Sequence, residues 1–319
     1  MATYSNIVGR TSVADALMPD QVVDGIIQDA ATESIMLRRA KQVRMTSKKA
    51  KQAVLSTLPD AYWVDSDNGL KQTSEAAWKN ITITAEELAV IVPIPDAVIN
   101  DANVPLWDQV KPLIAEAIGK KVDQAALFGV DKPDTWPDAI VTAATAAGNV
   151  QKIGTKLAED IATLAEKVSV GGFAVNGFAS RPGLSWKVRG LTDTTGRPIF
   201  ADALNGNGDF SIYGYPLDEV RNGAWNAESA ELAMLDWSKF LIGIRQDVTY
   251  DIFKEGVISD DSGKVVLNLM QQDTQALRAV FRVGFQVAVP QNRLTGEDAY
   301  PAGILTPATA SESGEEEEA

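Results

Sequence analysis

The stretch VPIPDAVINDANVPLWDQV, residues 92–110, joins an extended segment to a long helical one and decides how the chain is divided. Its prolines end the strand and mark where the helix begins, with Asn103 as a helix N-cap and Pro105 in the first turn. Pro112 follows in the helix interior, where proline removes a hydrogen bond and produces a kink. The stretch contains no His, Cys, Ser, Thr or Gly, so it predicts a structural joint rather than a reactive site.

Beyond the joint, apolar residues recur every three or four positions from Leu106 to Ala125, which predicts one long helix. A helix of about 25 residues is about 37 Å long. That is longer than a compact domain usually needs.

Before the joint, two strand-like segments flank a polar tip at residues 65–75. QAVLSTL (52–58) and AYWV (61–64) lead in, and AAWKNITITAEELAVIVPI (76–94) leads back with alternating apolar residues. The pattern predicts a hairpin of about twenty residues per arm, with a bulge at Glu86 and Glu87. A two-stranded ribbon is only marginally stable in water. This one is therefore expected to lie on its own domain or on another molecule.

The N-terminal residues 20–37 predict an amphipathic helix, because their apolar residues follow three- and four-residue spacing. The polar residues 38–51 come next, so this helix has no close partner in sequence. It is expected to be an arm that packs on something else.

The Pro-, Ala- and Thr-rich residues 131–150 mark a boundary, after which helical and strand patterns alternate. The predicted elements are a helix at 155–168, a buried strand at 171–180 and a helix at 181–191. This alternation favours an α/β or α+β domain. Gly-Arg-Pro at 196–198 and Gly-Tyr-Pro at 214–216 are turn signals, and the glycines of 204–216 match no phosphate-loop motif.

The last third of the chain is rich in strand patterns. Residues 239–253 and 264–289 flank a polar tip, which predicts a second long antiparallel ribbon. Arg278 and Arg282 on this ribbon face either solvent or a partner.

The chain has neither cysteine nor histidine. Disulfides, thiolate nucleophiles, Cys-ligated zinc, Ser-His-Asp triads and His-bound metals are therefore excluded. Carboxylate chemistry stays open, and Glu86, Glu87, Asp96 and Asp101 are candidate acids of a carboxylate-based hydrolase. Asp96 and Asp101 are better explained as acids at the N-termini of short helices, and no enzyme activity is expected.

The net charge of −14 is unevenly distributed. Residues 291–319 carry one arginine against seven acidic residues, whereas residues 34–59 contain no acid and hold a basic run. That run is Arg38, Arg39, Lys41, Arg44, Lys48, Lys49 and Lys51. It is either a solvated face, a contact with an acidic neighbouring subunit or a nucleic-acid contact. An acidic chain is a poor candidate for tight phosphate binding, and no apolar run is long enough for a membrane span.

Several segments, in this order and spacing, resemble the major capsid protein of tailed bacteriophages, the family that shares the HK97-like fold. They are PDQVVDGIIQDAATESIMLRRAKQVRM (19–45), the tryptophan-bearing hairpin, IPDAVINDA with LWDQVKPLIAEAIGKKVDQAALFG (94–129), GLTDTTGRPIF (190–200), IYGYPL (212–217), LDWSKFLIGIRQDVTYDIFKEG (235–256) and ALRAVFRVGFQVAVP (276–290). The resemblance covers residues 19–290 and implies an α+β fold.

The resemblance also implies a division of the chain. The parts are an N-terminal arm at 1–46, an extended loop (E-loop) at 47–92, a peripheral domain with the spine helix at 93–133 and 239–282, an axial domain at 134–238 and 283–290, and an acidic C-terminal tail at 291–319. Family members form hexamers and pentamers of one chain in an icosahedral shell around double-stranded DNA. The implied setting is the virion, with assembly in the host cytoplasm and a portal. Few residues precede the hairpin, so a separate scaffolding protein or unassisted assembly is expected rather than a cleaved scaffolding segment.

The resemblance directs attention to residues that contact neighbouring subunits. The candidates are Arg38, Arg39, Trp63, Lys71, Trp78, Lys79, Lys254 and Glu255. Some family members join subunits by Lys–Asn bonds, but no partner for Lys71 or Lys79 is evident and no crosslink is assigned. No cofactor, metal or membrane contact is expected. The alternative is an encapsulin-type bacterial nanocompartment, which has a similar fold and encloses cargo enzymes.

Overall fold

The computed structural model describes residues 34–57, 59, 61, 63, 73–74, 77–102, 104–192, 210–288 and 299–308. Several sequence predictions lie outside these residues. They are most of the arm helix, the ribbon tip with Lys71, the proposed cap Asn103, the turn at 196–198 and the Glu-rich end at 315–318.

The described chain contains both helices and strands. The helices are α1 (Ile35–Arg39), α2 (Asp96–Asp101), α3 (Leu106–Asp123), α4 (Ile140–Ala146), α5 (Leu157–Val170) and α6 (Leu184–Arg189). The strands are β1 (Lys41–Arg44), β2 (Lys49–Thr57), β3 (Ala77–Thr84), β4 (Glu86–Pro95), β5 (Val150–Lys152), β6 (Gly177–Ser180), β7 (Ser211–Ile212), β8 (Tyr215–Glu219), β9 (Leu232–Leu235), β10 (Phe240–Phe253), β11 (Val257–Ser259), β12 (Val265–Asn268), β13 (Thr274–Val287) and β14 (Ala302–Thr306). The helices predicted at 155–168 and 181–191 are confirmed as α5 and α6, and the strand predicted at 171–180 is the shorter β6.

The second predicted ribbon is confirmed as the antiparallel pair β10–β13, which runs from Phe240 opposite Val287 to Phe253 opposite Ala276. It does not stand alone, because two further strands complete a four-stranded sheet in the order β1-β10-β13-β4. The polar tip contains β11, and β12 pairs with it. The prediction of one continuous arm at 264–289 was therefore wrong for residues 265–268, which form β12 and not part of β13.

The first predicted ribbon is shorter than the sequence suggested. Its return arm divides at Ala85: β3 pairs with β2, whereas β4 pairs with β13 along its whole length. The prediction of one continuous twenty-residue arm with a bulge was therefore wrong, and residues 86–92 of the proposed E-loop lie in the four-stranded sheet. Leu88, Val90 and Val92 pack against the main core there, and this apolar burial is what draws β4 away from the ribbon.

The spine helix begins at Leu106 and encloses Pro112 as predicted. Its N-cap is Pro105, so the prediction of Asn103 as the cap, with Pro105 in the first turn, was wrong. It continues from Asp123 into a π-helical turn, Gln124–Phe128, which ends at Gly129. Gly129 has a φ of 75°, a left-handed conformation that glycine adopts without strain. The buried face of the helix packs on the four-stranded sheet through Ile114, Ile118 and Val122.

A six-stranded sheet in the order β5-β14-β9-β6-β8-β7 forms the other half of the molecule. Its strand β14 pairs with β9 and β5 and is almost entirely buried. The prediction that residues 291–319 form only a tail was therefore wrong for Ala302–Thr306, a short apolar run hidden among acidic residues. Residues 283–287 were expected to join this second sheet, but they continue β13 in the four-stranded sheet.

One hydrophobic core joins the spine helix, the four-stranded sheet and one face of the six-stranded sheet. A second core lies under α5 and α6 on the opposite face. Phe240 lies at the junction of the two sheets, with its ring centroid 6.5 Å from that of Phe285 and 6.4 Å from that of Tyr300. The division into peripheral and axial domains stays a proposal, and the main core includes residues on both sides of each of the three borders between them.

Candidate functional site: surfaces for subunit contact

The ribbon β2–β3 forms a two-stranded sheet separate from the two larger sheets. Its register runs from Lys49 opposite Thr84 to Thr57 opposite Ala77. The two strands carry lysines at three positions and no acidic residue. Trp78 is 67% exposed and Trp63, in the segment that follows β2, is fully exposed. The ribbon therefore presents a cationic and aromatic surface.

The root of the ribbon rests on two glycines of the four-stranded sheet. Gly243 and Gly284 are direct cross-strand partners on β10 and β13. A Cβ atom at Gly284 would lie 2.6 Å from the carbonyl oxygen of Thr84, and one at Gly243 would lie 2.8 Å from Ile83 Cγ2. Gln286 Nε2 also donates to the carbonyl of Thr82 at 3.0 Å. The missing side chains thus let the ribbon backbone lie directly on the sheet.

A polar contact holds the base of the ribbon beside Gly243 and Gly284, which together are called the glycine seat. Lys48 Nζ lies 3.1 Å from Glu86 Oε2, and the Thr135 hydroxyl donates to Glu86 Oε1 at 3.0 Å. The amide of Ala85 donates to the Lys48 carbonyl at 2.8 Å. Burial raises the pKa of Glu86, but the hydrogen bonds from Lys48 and Thr135 outweigh it and hold the pKa below its ordinary value.

Glu86→Gln should remove an acid-sensitive element at the ribbon base. A carboxylate with a lowered pKa stabilises the folded state above its unfolded pKa, and this stabilisation is lost as pH falls through the folded pKa. In the parent chain, we expect the Ala85 amide to lose protection from hydrogen exchange when the pH is lowered beneath 4.5, the ordinary pKa of Glu86. We expect no such loss in the variant. Glu159→Gln on α5 is the control and should behave like the parent chain. An unchanged pH profile in Glu86→Gln contradicts the assignment.

The base of the N-terminal arm is attached to the spine helix by Asp123. This carboxylate is completely buried. It accepts hydrogen bonds from Ser34 Oγ at 2.5 Å, from the amides of Ile35 and Met36 at 3.1 Å each, and from Asn222 Nδ2 at 2.8 Å. Burial raises the pKa of Asp123 above its ordinary value, although these hydrogen bonds act in the opposite direction.

Arg38 and Arg39, two of the candidate contact residues, lie against their own subunit. Arg38 Nη2 is 2.6 Å from Asp218 Oδ1, and Arg39 Nε is 2.7 Å from Asp218 Oδ2. The Asp218 side chain is only 10% exposed. The two arginines therefore link the arm base to β8.

Lys254 and Glu255 are exposed at the distal end of the β10–β13 pair, in the turn that leads to β11. Large apolar side chains are exposed around them: Ile252, Phe253, Val257, Val265 and Met270. The distal end thus combines charge with an apolar surface, the composition expected of a protein contact.

The outer face of the four-stranded sheet is crossed by two ion pairs. Arg278 Nη2 lies 3.0 Å from Asp251 Oδ2, and Arg282 Nη2 lies 2.7 Å from Glu87 Oε2. The guanidinium of Arg278 also lies 4.7 Å from the ring centroid of Phe253. Both arginines are therefore paired within the chain.

The four candidate hydrolase acids do not converge on one site. Glu86 and Glu87 pair with Lys48 and Arg282, and Asp96 lies in the first turn of α2 as expected. Asp101 is the last residue of α2, so the prediction that it begins a helix was wrong. Among the described residues, no three carboxylates are grouped to hold a metal ion, and no helix has the length and hydropathy for a membrane span.

Sequence reasoning missed the two most specific features of these surfaces. Gly243 and Gly284 interrupt long apolar strands, and an isolated glycine in a strand is a signal for close backbone approach. Asp123 carried no such signal, because an aspartate near the end of a helix is commonly exposed.

Comparison with known proteins agrees with this architecture. The sequence model of the phage capsid family matches residues 14–292. The major capsid protein of Staphylococcus phage 80alpha is 27% identical over 277 residues, covering 86% of this chain and 82% of the relative. A solved structure from Mycobacterium phage Cain has a TM-score of 0.80 and 33% identity, covering 95% of this chain and 99% of that one. One from Microbacterium phage Oxtober96 has a TM-score of 0.79 and 34% identity, with coverages of 95% and 100%.

These relatives come from phages, which favours a phage capsid over the nanocompartment alternative. The family match spans the spine helix, both long strands of the four-stranded sheet and most of the six-stranded sheet. The chain belongs to the phage capsid family, the major capsid proteins of tailed phages, and has the HK97-like fold.

Proposed function

We propose that copies of this chain assemble as hexamers and pentamers into an icosahedral shell around a double-stranded DNA genome. Capsid proteins of this family form the virion shell by contacting copies of themselves. The observation that carries the proposal is the ribbon β2–β3, which leaves the core at its glycine seat and exposes Trp78. A two-stranded ribbon with an exposed tryptophan gains stability when another surface covers it.

The ribbon is proposed to contact a neighbouring copy through Trp63, Trp78 and Lys79. Its lysines favour an acidic partner surface, and this chain, with a net charge of −14, supplies one. Obligate interfaces bury on the order of 2,000–5,000 Å², and extended segments reach such areas with few residues. Lys71 belongs to the same proposed surface by sequence alone.

A second contact is proposed at the distal end of the β10–β13 pair, with Lys254 and Glu255 at its rim. Their opposite charges suit a contact between equivalent copies, in which each lysine meets the partner's glutamate. Arg38 and Arg39 have a different role in this proposal. Since Asp218 already engages them, they hold the arm base in place instead of reaching a neighbour.

The enclosed DNA is proposed to be held without sequence-specific binding. An acidic chain neutralises few phosphates, so it does not grip the genome in a salt-dependent way. A separate scaffolding protein and a portal are proposed partners, with assembly in the host cytoplasm. The proposed role is structural, without a catalytic step.

Replacing residues 58–76 by an Asn-Gly turn should abolish shell formation but leave the subunit folded. The new turn would join Thr57 to Ala77, which are cross-strand partners, so the ribbon base is kept and its distal part is removed. We expect electron microscopy and sedimentation to find shells for the parent chain and only small oligomers for the variant. Near-ultraviolet circular dichroism is the control for folding.

Shells of normal size from the shortened variant would contradict the role of the ribbon. The content of the parent particles tests the second part of the proposal. Packaged double-stranded DNA supports it, whereas particles filled with a cargo enzyme would support the nanocompartment alternative.

A further inference from the structure

Asp123 joins three segments that are distant in sequence. It is the last residue of α3, and its donors come from Ser34–Met36 at the arm base and from Asn222 in the loop that follows β8. The carboxylate is buried and all its partners are inside the subunit. Its contacts therefore serve the internal geometry of the subunit and take no direct part in contacts between subunits.

On the arm side, Asp123 completes the start of helix α1. The first amides of a helix have no intrahelical acceptor, and those of Ile35 and Met36 donate to Asp123. Ser34 caps the same helix, because its hydroxyl oxygen accepts from the Leu37 amide at 3.1 Å while its proton goes to Asp123. The arm base thus needs Asp123 to satisfy its own backbone.

The close approach of the two segments depends on Gly119, one turn before Asp123. A Cβ atom at Gly119 would lie 3.3 Å from both Ser34 N and Ser34 Cβ. Glycine in a helix interior is less favourable than alanine. That cost is offset by the contact it allows between the arm base and the spine helix.

On the opposite side, Asn222 uses both ends of its amide. Its Nδ2 donates to Asp123, and its Oδ1 accepts from the Ala224 amide at 3.0 Å. The Asn222 side chain is buried, and Gly223 beside it has a φ of 71°. Loss of the bond to Asp123 would therefore free a tight turn as well as a side chain.

We propose that Asp123 couples the arm base to the loop around Asn222, so that neither can move without disturbing the other. The arm base and the loop share one buried acceptor, and leaving a buried donor without its acceptor is destabilising. Arg38 and Arg39 add a parallel link to Asp218, four residues before Asn222. Displacing the arm base should consequently loosen residues 218–224.

In a shell, the coupling would transmit a displacement of the arm base to the loop around Asn222. That consequence rests on the proposed function. The coupling itself is a property of one subunit and is tested on the purified full-length chain, so it can fail while the assembly proposal survives.

A coupling free energy acts equally in both directions. A change at the arm base should therefore affect the loop around Asn222, and a change in the loop should affect the arm base. Asn222→Ala should raise the exchange rates of the Ile35 and Met36 amides by about tenfold, since weakening one bond loosens the shared acceptor. Ser34→Ala should raise the exchange rate of the Ala224 amide by a similar factor. In the double variant, the two effects on unfolding midpoint should not add.

Thr135→Ala is the matched control, because it removes a single hydrogen bond at the ribbon base and none near Asp123. It should leave all three amides unchanged. Asn222→Ser, too short to reach Asp123, replaces Asn222→Ala if that variant does not fold. Strictly local effects of Ser34→Ala and Asn222→Ala, with additive midpoints, would overturn the proposal.

Discussion

Gly284→Ala is expected to stop normal shell assembly while the core of the subunit stays folded. The new methyl group would lie 2.6 Å from the Thr84 carbonyl oxygen and 2.9 Å from Ile83 Cγ2. The first of these neighbours is backbone, so the ribbon itself must move. Overpacking of this kind lowers the folding stability by about 1–3 kcal/mol, and a subunit with a large core stays folded after such a loss.

The consequence for assembly is larger than the consequence for stability because the ribbon is a lever. Nine residues of β2 extend about 30 Å, so a rotation of about 5° at the root moves its end by about 3 Å at that length. A displaced ribbon no longer meets its proposed partner. Particle yield and diameter in electron micrographs measure the effect, alongside the thermal midpoint of the dissociated subunit.

Gly190→Ala is the matched control for this change. A Cβ atom there would lie 3.6 Å from its nearest neighbour, an ordinary contact, and the backbone φ is −77°. We expect normal shells from it. Normal shells from Gly284→Ala as well would mean that the glycine seat does not determine the position of the ribbon.

Phe285→Ala should produce the largest loss of stability. This side chain neighbours Gly284 but points into the main core, where it is 1% exposed. Its ring centroid lies 5.8 Å from that of Trp136. The ring also stacks on that of Phe240, with an interplanar angle of 5°. Truncation of a buried phenylalanine costs about 3–5 kcal/mol, and here it opens a cavity at the junction of both sheets. We expect a marked fall in the denaturant midpoint of the dissociated subunit.

Phe253→Ala makes the same chemical deletion at the exposed distal end of β10. Its cost should stay below about 1 kcal/mol, as is usual for surface positions. Equal losses in the two variants would contradict the assignment of Phe285 to the junction. Gly284 and Phe285 are adjacent but lie on opposite faces of β13. A change at Gly284 should thus affect mainly assembly, and a change at Phe285 mainly stability.

Much of the fold was predictable from local pattern. The spine helix, the β10–β13 pair and helices α5 and α6 each carry a strong period, and the structure has all of them. The proline-rich joint at residues 92–110 was also interpreted correctly as strand, short helix and long helix. Periodicity works at these places because each element buries one continuous apolar face.

The choice of strand partner was not predictable in the same way. Residues 76–94 alternate with a single step at Glu86 and Glu87, which suggested a bulge in one strand, yet β3 pairs with β2 and β4 pairs with β13. An alternating pattern indicates that a strand has one apolar face. It does not indicate which neighbouring strand supplies the backbone hydrogen bonds. Strand β14 was missed for a related reason, since its five residues are buried by elements distant in sequence: it pairs with β5 and β9, and helices α4 and α5 pack against it.

The sequence by itself determined the family, the positions of the spine helix, of helices α5 and α6 and of the β10–β13 pair, and the exclusion of cysteine and histidine chemistry. These follow from residue identity and short-range spacing. Only the tertiary structure decided that two glycines seat the ribbon, that Asp218 engages Arg38 and Arg39, and that Asp123 joins the arm base to Asn222. Each of these depends on groups that lie between 41 positions apart, as for Gly243 and Gly284, and 200 positions apart, as for Thr84 and Gly284. Contacts at such separations are set by how whole elements pack, which no local pattern encodes.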